Sequence, residues 1–194
     1  MSQAILQLRF LAADAGRIVN GKWWRLASLA FSPGFHAVAL YRMDRFFYLA
    51  FGKLWKLARL LLTPLFFLLR PWVKGCEIHY VANIGPGLVI LHPSLGVVVS
   101  SYAVIGSHCT FTGGNCVGVR DGARSGGQIE MGDHVLLGVN AVVLGPSRMG
   151  SRVTIGAGSV SLHDVPDGAV LGGVPARELR TSLARKAPVA QYGD

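Results

Sequence analysis

Two side chains fifteen residues apart, Glu77 and His92, form the pair in this chain best suited to moving a proton. A neutral imidazole, with an ordinary pKa of about 6.5, can take the proton of an alcohol near neutral pH. A carboxylate on its other ring nitrogen would fix the tautomer and stabilise the imidazolium. The other five histidines (His36, His79, His108, His134 and His163) read as surface or corner residues. Cys76, Cys109 and Cys116 are odd in number and never in C-x-x-C spacing. That argues against a zinc site or a disulfide framework and fits a reducing cytosol. No metal is expected.

Such a pair needs a scaffold, and the chain announces one after residue 75. An aliphatic residue recurs every six positions: Ile78, Ile84 and Ile90, a longer step to Val97 and Ile105, then Phe111 and Val117. The series resumes at Met131, Leu137, Val143, Met149 and Ile155, and glycine directly follows many of these residues. Three hexads close a triangular coil of about eighteen residues, and the next coil stacks about 4.8 Å above it. A sandwich of short strands would alternate with period two instead. Positions 77 and 92 are close to one coil turn apart and could face one another. The rhythm lapses across 118–130, a glycine-rich, charged stretch that reads as a loop thrown out from the coil. The coil is expected over 75–178, with 179–194 as a tail.

Before Lys74-Gly75 the pattern is helical. Helices are expected over 3–13, over 22–31, from about Phe35 to Ala50 after the Ser32-Pro33-Gly34 start signal, and over roughly 53–69. The net charge of +9 is uneven. Residues 1–74 hold eleven Lys/Arg against two acids, whereas residues 75–194 hold eight of each. No nucleic-acid-binding motif accompanies this basic segment, so a nucleic-acid partner is set aside. Its wealth of Leu, Phe and Trp suits either packing on a neighbouring subunit or contact with an anionic membrane surface. The longest apolar run, Leu60–Leu69, would cover about 15 Å as helix, half of the ~30 Å hydrocarbon core. It does not span. No secretory signal pattern is visible, and the expected location is cytoplasmic, peripheral on the inner face of the membrane.

The hexads, the stretch from Gly75 to His92, and the ending Ile155-Gly-Ala-Gly-Ser-Val…Gly173-Val-Pro-Ala-Arg177 resemble the serine acetyltransferase-like branch of hexapeptide-repeat acyltransferases. The segment Pro33-Gly34-Phe35-His36…Tyr41-Arg42 resembles that branch's helical lead-in. The resemblance implies a left-handed parallel β-helix, a homotrimer, and acetyl-CoA as co-substrate lying between adjacent prisms. It further implies His92 as the general base and Glu77 as the acid that orients it. Gly138, Val139, Thr154 and Ala157 fall on positions that line the pantetheine arm, and Gly118 or Val119 on the thioester site. Arg152, Arg177 and Arg180 are candidates for the CoA phosphates.

Three positions depart from that branch. Leu91, Gly127 and Gln128 stand where it carries the charged residues that hold serine. The acceptor expected on this ground is an uncharged saccharide hydroxyl, of the kind carried on lipid, in exopolysaccharide or capsule assembly. Serine O-acetylation in cysteine biosynthesis is the alternative, and a non-enzymatic trimeric scaffold a third reading.

Overall fold

The computed structural model describes residues 3–65, 68, 75–120 and 128–181, with backbone alone for 180 and 181. Helix α1 (Gln3–Val19) runs six residues beyond its expected end and stops at Asn20 and Gly21, which have φ of 49° and 73°. The segment 22–31 is not one helix. A single 3₁₀ turn (Trp23–Arg25) precedes the five-residue α2 (Leu26–Ala30), because Lys22 at the cap position offers the free N–H groups no acceptor. Ser32 does offer one. Its hydroxyl accepts from the Phe35 N–H at 3.3 Å, and Pro33 opens α3 (Pro33–Phe51) without losing a needed donor. Gly52 separates α3 from α4 (Lys53–Leu61).

The remainder is five stacked coils of short strands. The first coil comprises β1 (Cys76–Ile78), β2 (Asn83–Ile84) and β3 (Val89–Ile90). The second comprises β4 (Val97–Val99), β5 (Ala103–Ile105) and β6 (Thr110–Phe111). The third comprises β7 (Asn115–Val119), β8 (Ile129–Met131) and β9 (Leu136–Leu137). The fourth comprises β10 (Val142–Gly145), β11 (Ser147–Met149) and β12 (Thr154–Ile155). The last carries β13 (Val160–Ser161) and β14 (Ala169–Gly172), and β15 (Arg177–Thr181) folds back antiparallel on β14. Corresponding strands pair in parallel to make three faces, in the orders β1-β4-β7-β10-β13, β2-β5-β8-β11 and β3-β6-β9-β12-β14. Residues 179–181, expected as tail, belong to β15. The excursion is shorter than expected at both ends, since 118–119 close β7 and 129–130 open β8.

The register corrects one leader. Ile78 pairs with Val99, and Val99 with Val117, so Val99 heads the second coil and not Val97. Val97 also points inward, which is why period alone mistakes one for the other. With Val99 in place the six-step rhythm is unbroken from 99 to 117, and all the extra length falls between Ile90 and Val99. His92 sits in that extra length.

The columns fill the prism. Ile84, Ile105, Met131 and Met149 stack on one side, and Ile90, Phe111, Leu137 and Ile155 on another, all buried. Each buried leader contributes roughly 1.5–3 kcal/mol.

The helices dock on the first coil through charged side chains. Arg42, Asp44 and Arg45 are buried. Arg42 and Asp14, each with a fully buried side chain, pair at 2.9 Å. Arg42 also donates to the carbonyls of Ile84 (2.7 Å) and Gly85 (2.6 Å), while Asp14 accepts from the N–H groups of Gly87 (2.7 Å) and Leu88 (2.8 Å). Arg17 reaches the carbonyls of Gly87 and Cys109, and Arg45 those of Tyr80 and Val81. These contacts satisfy the open top of the coil, where no preceding strand can do so. Removing one partner of such a buried pair costs about 3–5 kcal/mol.

Candidate active site

His92 lies on the edge where the third face turns into the first. Its N–H donates to the Thr112 carbonyl of the next coil at 2.8 Å, and Pro93–Leu95 continue as a 3₁₀ turn. The imidazole is exposed. Gly113 below it has φ of 138°, and a Cβ there would run into the His92 carbonyl, so the turn closes only over a bare backbone. Glu77, also exposed, sits at the middle of β1, on the face that this edge opens onto, opposite Val98. The residues beside each are in contact: the Cys76 thiol lies 3.7 Å from the Pro93 carbonyl.

Most of the other expected site residues continue along this same edge. The Asn140 N–H donates to Gly113 (2.9 Å) and the Gly158 N–H to Val139 (2.8 Å), linking Gly138–Asn140 on the third coil to Gly156–Gly158 on the fourth. The Ala176 N–H donates to Val160 (2.8 Å), which brings Arg177 to the foot of the line. His92, Gly113, Val139 and Ala157 therefore occupy successive levels of one edge with Arg177 at its foot, an exposed imidazole at one end and an exposed cation at the other. Thr154 lies just off the edge, facing outward on the third face beside Leu136 and Val170.

Gly118 and Val119 stand on the first face rather than on the edge. Among the described coil glycines without a positive φ, Gly118 alone has room for a side chain: a Cβ there would meet only the Cys116 sulfur at 3.7 Å and a Leu144 carbon at 3.9 Å. Packing does not demand a glycine at this position. The N–H groups of Cys116 and Arg120 both donate down to the fourth coil, to Ala141 (3.3 Å) and Gly145 (3.1 Å). Strand alternation turns the Gly118 amide the same way and the Val119 amide the opposite way.

Arg152 does not join the line. It occupies the edge between the second and third faces, at φ of 57°, and lies 3.9 Å from the exposed Asp167 carboxylate. The side chain of Arg180 and residue Gly127 fall outside the described residues, and Gln128 precedes β8. An open groove of about 700 Å³ lies on the second face, lined by Glu130, Arg148 and Asp164, away from His92. The edge that carries His92 is a corner of the triangular prism and is convex in one chain.

Two thiols lie near the edge, Cys76 and Cys116, and burial pushes both up from the usual thiol range. Both stay protonated at neutral pH and are poor nucleophiles there, which favours direct transfer over a thioester intermediate on the protein. His79 donates nothing to the site. Its Nδ1 accepts the Val81 N–H at 3.1 Å and its ring stacks on Tyr80, with burial first and Arg59 second depressing its pKa.

A triangular solenoid with an exposed histidine at one edge, followed down that edge by open turns and a terminal arginine, defines an acyltransferase-type scaffold. No family model matches the chain. It is 35% identical over 158 residues to serine acetyltransferase of Synechococcus elongatus, covering 81% of this chain and 61% of that protein. It is 34% identical over 152 residues to serine acetyltransferase of Helicobacter pylori, covering 76% of this chain and 81% of that one. Among solved structures, Neisseria gonorrhoeae serine acetyltransferase superposes with a TM-score of 0.78 at 30% identity, covering 94% of this chain and 70% of that one. The chain belongs to the serine acetyltransferase family, and its coil is the left-handed parallel β-helix. It spans less than two thirds of the length of the Synechococcus protein.

These relatives overturn the saccharide acceptor expected from Leu91, Gly127 and Gln128, since they are serine acetyltransferases. The physical reason is that three missing charges remove one way of holding an ammonium and a carboxylate. They leave others, including backbone groups and side chains elsewhere. With the saccharide reading goes the placement in polysaccharide assembly.

Proposed function

We propose that the protein is an acetyl-CoA-dependent serine O-acetyltransferase with His92 as its general base. The observation that carries this reading is the line of His92, Val139, Ala157 and Arg177 down one edge, in a chain that covers 81% of a Helicobacter pylori serine acetyltransferase. A Neisseria gonorrhoeae relative has been solved with serine, and another serine acetyltransferase with CoA, which supports both substrates.

His92 removes the proton of the serine hydroxyl as its oxygen attacks the thioester carbonyl, with Glu77 orienting the imidazole and balancing its charge. The tetrahedral oxyanion is met by a backbone amide at the end of β7, and Val119's is the better candidate because Gly118's is turned into the strand ladder. Collapse expels CoA as its thiolate, which takes up the proton held by His92. The products are O-acetylserine and CoA. The pantetheine arm lies along Gly138, Val139, Thr154 and Ala157, and Arg177 meets a phosphate at the far end. A convex edge cannot enclose this arm, so the working form is a homotrimer in which a neighbouring prism closes the other side.

Release of free CoA, followed with a thiol reagent, tests the reading. Turnover is expected with acetyl-CoA plus L-serine, and His92→Ala should lower the rate about 10²–10⁴-fold without changing the melting temperature. Absence of serine-dependent CoA release would overturn the substrate, and a fully active His92→Ala protein the base.

A further inference from the structure

Helix α4 is held in one orientation and turns an apolar stripe away from the rest of the protein. Asp44 clamps it: the carboxylate accepts from Trp55 Nε1 at 2.6 Å and pairs with Arg59 Nε at 2.9 Å. The Trp55 ring stacks on Phe47 at 4.7 Å, and the Arg59 guanidinium lies 4.8 Å over the Tyr80 ring of the first coil. At about 100° per residue, Leu54, Leu57 and Leu61 fall on the far side of the helix from Trp55 and Arg59. They are 71%, 61% and 75% exposed. Leu65 and Leu68 beyond the helix are exposed as well. Lys53 and Lys56 lie along one border of the stripe, both exposed.

The charge around this stripe selects its occupant. Asp14 and Asp44 are the only acids before Glu77, and both are buried against arginines. The described surface of the helical region therefore presents cations and apolar side chains but no carboxylate. Arg9, Lys53 and Lys56 are exposed on it. The same helical surface of a second copy would set like charges against like, and a nucleic acid would have no use for a leucine row. No described helix is long and apolar enough to cross a membrane, but an amphipathic helix bordered by lysines lies well in the plane of an anionic lipid interface. We infer that α4 docks the protein on an anionic bilayer surface, with Leu54, Leu57 and Leu61 entering the boundary between headgroups and acyl chains. Lys53 and Lys56 reach the headgroups beside them. This inference does not depend on the acyl acceptor.

The test is flotation of the full chain with vesicles of phosphatidylcholine alone and vesicles containing one part phosphatidylglycerol in about three, at low salt. The protein should float with the anionic vesicles and stay below the neutral ones. A Leu57→Glu/Leu61→Glu variant should lose at least about tenfold in partitioning, since two apolar contacts become repelled charges. Its melting temperature, CoA release and solution mass should be unchanged, because both side chains are exposed. Wild-type protein that stays at the bottom with anionic vesicles would overturn the inference. So would a variant that floats as well as wild type, or one whose solution mass falls, which would show that another copy covers the stripe.

Discussion

Two edges of the same prism differ in kind. Between the second and third faces every coil turns in the same way, through Gly87, His108, His134, Arg152 and Gly168, all at positive φ between 57° and 80°. Each turn is tied to the one above by the same bond, His108 to Pro86, His134 to Ser107, Arg152 to Asp133 and Gly168 to Ser151, at 2.7–2.8 Å. The rings of His108 and His134 consequently stack at 5.1 Å with an 8° interplanar angle. Between the third and first faces the turns vary in length, and the longest holds His92. Regularity serves stacking, and the departure from it leaves a side chain and bare backbone open to a ligand.

Substitution on each edge should bring out this difference. Gly106 belongs to the regular edge, where a Cβ would lie 2.6 Å from the Gly132 backbone. Gly106→Ala should cost about 1–3 kcal/mol of stability, read as a lower urea midpoint, with little change in rate for the folded fraction. Gly118→Ala should do the reverse, because its Cβ has space but intrudes where the thioester is proposed to lie. The melting temperature should hold while kcat/KM for acetyl-CoA drops about tenfold, or ~1.4 kcal/mol. His108→Ala should change least, within about 0.5 kcal/mol in stability and with no effect on CoA release. A large loss of activity from His108→Ala would erase the distinction between the edges.

Much of the scaffold was legible before any coordinates. The hexad period identifies the coil, and the stretch around His92 is visible as a lengthened step, although period alone points to Val97 where Val99 is the leader. Strand alternation sends both valines inward, so only the pairing with Ile78 and Val117 separates them. The acceptor was misread for a different reason. Leu91, Gly127 and Gln128 report which side chains are missing, and an absence does not specify what replaces them. The helical region was the least legible. Arg42 and Arg45 are buried with partners 28 to 43 residues away in sequence, and Asp44 with partners 11 and 15 residues away.

The sequence by itself determined the repeat, because a six-residue period is a local instruction: each hexad carries its own leader and its own corner. Tertiary structure alone decided that Asp14 and Arg42 would be buried together on the first coil, that Val139, Ala157 and Arg177 would follow His92 down one edge, and that Arg152 would not. Those outcomes depend on which turn of each coil comes to lie above which, and on where free carbonyls are left at the top of the stack. Stacking sums small choices of register over many residues, and no short window of the chain contains that sum.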